Sequence, residues 1–219
     1  MFFSKKISPT ERNNWLYERL AKHCEPKGFN LLPNKHQFRR RTELGFQTLI
    51  LSTSHYDDIT IFELHLGIRN EVIEKMAFQF TNGLPLFQRD SMTLVTSMGK
   101  LQGLAFQRFD IKKEADAEGA MRQVALFQET VGWGWLEKHQ GAKAIHGALN
   151  KLPLEKTILM SNQIYRCFRG LVAAKLTNQF NYAELELEYR DYLKWLRAPD
   201  YQLLIFDRLR RFLKDYSAN

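Results

Sequence analysis

The sequence predicts an α+β fold: an N-terminal helix, an antiparallel β-meander of about five or six strands, and a C-terminal helical half. Three observations carry this prediction. Ser8-Pro9-Thr10-Glu11 opens the first periodic stretch as a capping box with proline at the first helical position. Between Phe29 and Ile111 apolar residues alternate with polar ones. Beyond Lys112 they recur every third or fourth position instead.

The capping box and the stripe Trp15, Leu16, Leu20 and Cys24 predict a helix over about 9–25, with Gly28 as its left-handed terminus. In the stretch ITIFELHLGI, Phe62, Leu64 and Leu66 share one face, and Ile61, Glu63 and His65 share the other, the pattern of a half-buried strand. Upstream, Leu49 and Leu51 alternate in the same way, and His55 to Asp58 supplies a turn. Alternation alone pairs Leu51 with Phe62 and Leu49 with Leu64, and lays 38–43 beside 46–51 through a turn at Leu44-Gly45. Further strands are predicted at 92–98 and 104–111, joined by Gly99 and Gly103, with a short helix in RNEVIEKMAFQF ended by TNGLP.

In the helical half, Met121, Val124 and Ala125 predict a helix near 114–131, which Gly132-Trp133-Gly134-Trp135 breaks before a shorter piece leading to Asn150. A long helix from Lys156 carries Ile164, Phe168, Leu171, Val172 and Leu176. Asn181 to Glu184 is a second capping box, and Pro199-Asp200 opens a last helix with Leu204, Leu209, Phe212 and Leu213. One α+β domain over 1–219 accounts for the pattern, with a subdivision at 111/112 as the alternative.

The layout is similar to that of a bacterial domain-of-unknown-function family. The motifs that carry the resemblance are Gly28-Phe29 entering the first strand, Phe38-Arg39-Arg40, the run Phe62 to Ile68, the run Gly170 to Leu176, and Tyr189-Arg190-Asp191-Tyr192. The resemblance implies a helix, meander and helices in a bacterial cytoplasmic protein. It brings no activity and no catalytic residues.

The chain has 219 residues and a net charge of +8, which favours acidic partners. Residues 1–50 carry ten Lys and Arg against four acids, so the excess concentrates around Lys5, Lys6, Lys27, Lys35 and Arg39 to Arg41. Cys24 and Cys167 have no CxxC partner, which argues for neither a zinc site nor a disulfide framework and fits a reducing, cytoplasmic setting. No export signal and no apolar run of membrane-spanning length is read.

No phosphate loop, dinucleotide fingerprint, nucleophile elbow or HExxH is present, so no cofactor, metal or catalytic residue is assigned. His55 with Asp57-Asp58 reads as turn chemistry before metal ligation. His23, His36, His139 and His146 read as surface or capping residues. The candidate ligand- or partner-binding residues are Arg39, Arg41, Glu63 and His65 on the polar face of the sheet, with Arg39 in one cross-strand row with Glu63 and Arg41 in the next with His65. Trp133 and Trp135 are the second candidate, as a stacking platform or anchor; their competing role is packing. Arg40 points the other way, towards Phe38, Leu49 and Leu64, with Glu11 or Glu18 as a candidate acid partner.

Three function classes follow. The first is a protein-interaction or regulatory, immunity-type binding module. The second is a nucleic-acid binder using the basic N-terminal region. The third is an enzyme with an unrecognised site near Arg39, Glu63 and His65.

Overall fold

In the computed structural model of the chain, residues 7–81 and 83–216 are described. Lys5 and Lys6 of the basic region, and Asn82 of the predicted TNGLP turn, lie outside them. The architecture is α+β: an N-terminal helix, a six-stranded antiparallel sheet and a series of C-terminal helices. Helix α1 (Pro9–Cys24) starts as predicted, the Ser8 hydroxyl accepting the Glu11 N–H at 3.1 Å. Gly28, with φ of 81°, turns the chain out of the helix.

The strands are β1 (Asn30–Leu32), β2 (Gln37–Thr42), β3 (Gly45–His55), β4 (Thr60–Asn70), β5 (Leu94–Ser97) and β6 (Phe109–Ile111). They lie in the order β1-β2-β3-β4-β5, and β6 pairs with the start of β4. The packed face is the predicted one: Phe38, Leu49, Leu51, Phe62, Leu64 and Leu66 are all buried. The register differs from the one predicted by alternation. Leu51 N–H donates to the His36 carbonyl at 2.8 Å, and Tyr56 N–H donates to the Ile59 carbonyl at 2.8 Å across the Asp57-Asp58 bend. Tight turns thus place Leu51 opposite His36 and Leu64, two residues from the expected pairing. A shift by an even number leaves every side chain on its face.

The expected strand over 104–111 shortens to β6. Ser97 caps a short helix, α4 (Met98–Leu101), by accepting the Lys100 N–H, and Gly103 at φ 79° redirects the chain. Gly99 lies against the backbone of Phe106 and Gln107 with no room for a Cβ, so the segment folds back before it can pair.

Two compact units interleave along the chain. The first comprises 1–42, 46–67 and 96–137. In it α1 packs on α5 (Glu114–Phe127) through Leu16, Leu20, Ala117, Met121 and Val124. Arg12 is 1% exposed; its guanidinium donates to the Thr60 hydroxyl at 2.8 Å and to the carbonyls of Ile7 and Tyr56, tying α1 to the β3–β4 hairpin. Helix α5 does not break at the glycines. It widens into a π-helical stretch (Gln128–Gly132) and continues as α6 (Trp133–Lys138), because Gly132 lets the wide turn close on the Gln128 side chain.

The second unit comprises 43–45, 68–95 and 138–219. It contains α2 (Glu71–Phe78), α3 (Pro85–Gln88), α7 (Ala142–Asn150), α8 (Gln163–Leu176), α9 (Tyr182–Trp195) and α10 (Asp200–Asp215). Helix α8 begins at Gln163 rather than near Lys156, because Asn162 caps it by accepting the Tyr165 N–H at 3.0 Å. Asn181 is the N-cap residue of α9, without a side-chain capping bond. Helix α8 is the centre, with Phe168, Leu171 and Val172 buried and packed among α7, α9, α10 and α2. Arg166 is buried with no carboxylate partner among the described residues; it donates to the carbonyls of Leu149 and Leu152 and so closes the end of α7.

Candidate functional site

The polar face of the sheet in the first unit gathers charged side chains around Glu63. Its Oε2 lies 3.7 Å from His65 Nε2 and 3.7 Å from Arg108 Nε. The two β4 residues meet because they are two apart on one face. Arg108 arrives through the β6 register, which sets Phe109 opposite Phe62 and so brings Arg108 beside Glu63. Burial lowers the pKa of His65 from its ordinary value, Glu63 raises it, and the charge of Lys100 on α4 lowers it. At neutral pH the imidazole is therefore uncharged. The Thr96 hydroxyl is buried with no hydrogen-bond partner among the described residues.

Neither predicted arginine keeps its expected row, Arg39 with Glu63 or Arg41 with His65, and Arg41 falls level with Phe46. The shifted register puts Arg39 level with Thr48, and Glu63 level with Ser52. Arg39 lies on the predicted face, but its Nη2 donates to Gln37 Oε1 at 2.8 Å and its guanidinium covers the Phe46 ring at 3.9 Å. The Thr48 hydroxyl donates to the same Gln37 oxygen at 3.2 Å. Arg41 is exposed and has no ion-pair partner among the described residues. The guanidinium that does reach Glu63 is that of Arg108.

Arg40 lies on the opposite, packed side, as predicted. Its guanidinium sits 4.9 Å over the Phe29 ring, donates to Gln47 Oε1 at 3.1 Å and to the Lys27 carbonyl at 3.0 Å, and pairs with Glu137. The acid partner is thus Glu137 on α6, not Glu11 or Glu18. Three consecutive arginines therefore make no three-charge patch.

The tryptophans belong to that packed side. Trp133 lies 5.5 Å from the Phe29 ring and donates from Nε1 to Glu129, while Lys27 sits 6.0 Å over its ring. Trp135 is buried. Neither indole joins the residues around Glu63. Arg108 and Lys100 went unread in the sequence, since both lie in irregular or short elements where alternation carries no signal.

Among the described residues no group of three or more His, Cys, Asp or Glu is gathered as a metal site. His55 Nδ1 faces the Thr60 hydroxyl at 2.9 Å, and Lys112 reaches Asp58 at 3.9 Å. Burial pushes the thiols of Cys24 and Cys167 up to about 12, which keeps both unreactive at neutral pH. No described helix is long and apolar enough to cross a membrane. No protein family, curated protein or solved structure matches this chain.

Proposed function

We propose that this protein is a protein-interaction module of regulatory or immunity type, and that the polar face of its sheet receives an acidic segment of a partner. One observation supports the reading above the others: Lys100, Arg108 and the titratable His65 gather near Glu63, and Arg39 and Arg41 add positive charge elsewhere on the same face, against the carboxylates of Glu63 and Asp110. Glu63 sits 3.7 Å from each of its two partners, beyond hydrogen-bond reach, so an incoming carboxylate can compete for them. We propose likewise that the chain belongs to the bacterial family it resembles and works in a bacterial cytoplasm.

Affinity capture from the native host, with the wild-type chain and the R41E/R108E variant side by side, tests this. A partner retained by the wild type and lost by the variant, while the variant keeps its fold by circular dichroism, is the expected result. A partner indifferent to both charge reversals contradicts it.

A nucleic-acid reading has Arg39 and Arg41, but not Arg40, on one face. It still makes a clear demand: a mobility shift that weakens by about three orders of magnitude or more between roughly 50 and 200 mM salt. An acid–base reading rests on the proximity of His65 to Glu63 and calls for a substrate whose turnover is lost in both H65Q and E63Q.

A further inference from the structure

In the second unit, α9 and α10 pack as an antiparallel hairpin locked by charges. Arg190 holds Asp207 through two bonds of 3.0 and 3.1 Å, and Arg210 bonds both Asp207 and Glu186. Phe206, Leu209 and Leu213 point inward and are buried. The outward stripe of α10 is Asp200, Leu204, Arg208, Arg211 and Asp215, spaced four, four, three and four residues apart. It is flanked by Tyr201 and Phe212. Leu204 is 65% exposed and Tyr201 48%, so apolar surface on α10 lies open beside unpaired charge. Arg208, Asp200 and Asp215 have no side-chain partner among the described residues, and Arg211 bonds only the Asp207 carbonyl at 3.4 Å.

The order of these residues is self-complementary when the helix is reversed. Asp200 stands at the N-terminal end, Leu204 follows, and Arg208 and Arg211 stand towards the C-terminal end, with Asp215 beyond the stretch that a reversed copy of α10 covers. We infer that this face binds a second copy of the chain through an isologous, antiparallel α10–α10 contact whose two-fold axis crosses the outward face at the level of residues 205–206. That arrangement sets Asp200 against Arg211 of a second copy. It brings the two Leu204 side chains within about one helical turn of each other. The methylene stem of Arg208 then covers Leu204 of the second copy. Charges pair twice by symmetry, and the exposed leucine and tyrosine leave water. A parallel arrangement would instead stack Asp200 on Asp200 and Arg211 on Arg211, which like-charge repulsion disfavours.

Sedimentation velocity of the full chain from roughly 1 to 100 µM tests the inference. The wild type should shift from monomer to dimer in this range. L204E should remain monomeric throughout while keeping its helical circular dichroism. D200R and R211D should each weaken the dimer by about tenfold or more, and the D200R/R211D double variant should recover most of the loss, because the swap restores opposite charges across the axis. A wild type that stays monomeric at the highest concentration overturns the inference. A dimer insensitive to L204E and to the single reversals overturns it equally.

Discussion

The guanidinium of Arg40 lies 4.9 Å over the ring of Phe29, on the face of β2 opposite Arg39 and Arg41. Strand alternation separates three sequence neighbours into a packing residue and two outward ones. Replacing Arg40 with alanine removes the ring contact and leaves the Gln47 amide and the Lys27 carbonyl without their donor. A loss of about 1–3 kcal/mol is expected in urea unfolding. Arg41→Ala, on an exposed and unpaired side chain, should change stability by no more than about 0.5 kcal/mol. Equal costs for the two variants would contradict the assignment.

Glu74 and Arg169 form a bidentate pair in the second unit, with Nε–Oε1 at 2.6 Å and Nη2–Oε2 at 2.8 Å, and the glutamate is fully buried. Burial alone would raise the Glu74 carboxyl, but the charge and hydrogen bonds of Arg169 outweigh it and hold the pKa below its ordinary value. A depressed carboxylate contributes stability above its unfolded pKa and loses it as pH falls through the folded one. The wild type should therefore lose stability on acidification below the ordinary glutamate range. Arg169→Met should cost about 3–5 kcal/mol at neutral pH, because it strands a buried charge. Thermal unfolding across an acid series checks both.

His65 supplies a second pH signal. Burial lowers its pKa, so the folded state resists protonation, and its contribution is present above the unfolded value and lost as pH falls through the folded one. In an NMR titration its imidazole should change charge below the ordinary histidine range. Glu63→Gln should push that midpoint lower still, and Lys100→Gln should move it up. Shifts in the reverse senses would break the assignment of the cluster.

Gly132 and Gly134 are two residues apart and should behave oppositely. A Cβ on Gly132 would collide with the buried Gln128 side chain, whereas one on Gly134 meets nothing within 4 Å. Gly132→Ala should destabilise by about 1–3 kcal/mol through overpacking. Gly134→Ala, at an exposed helical position, should stabilise by about 0.5–1 kcal/mol. Comparison of the two unfolding midpoints decides it.

The faces of the sheet were legible because period-two alternation needs no partner: Phe62, Leu64 and Leu66 go inward and Glu63 and His65 outward whatever the register. The register itself was not, because two tight turns set it and the residues at Glu43-Leu44 and Asp57-Asp58 suit several turn lengths. That error moved Arg39 away from Glu63. Arg108 stayed hidden because β6 is three residues long and Arg108 lies just outside it. Glycine was misread at Gly132, where it admits a π turn rather than ending the helix. The caps, by contrast, were local: Ser8 and Glu11 meet as their spacing requires.

An NMR titration with a blocked hexaglutamate peptide as probe tests most directly whether the face around Glu63 receives an acidic group. Shifts concentrated at Arg39, Arg41, His65, Lys100 and Arg108 are expected, together with a rise in the His65 midpoint, because a bound anion favours the protonated imidazole. Shifts spread over all surface cations, or an unmoved His65, would contradict the claim.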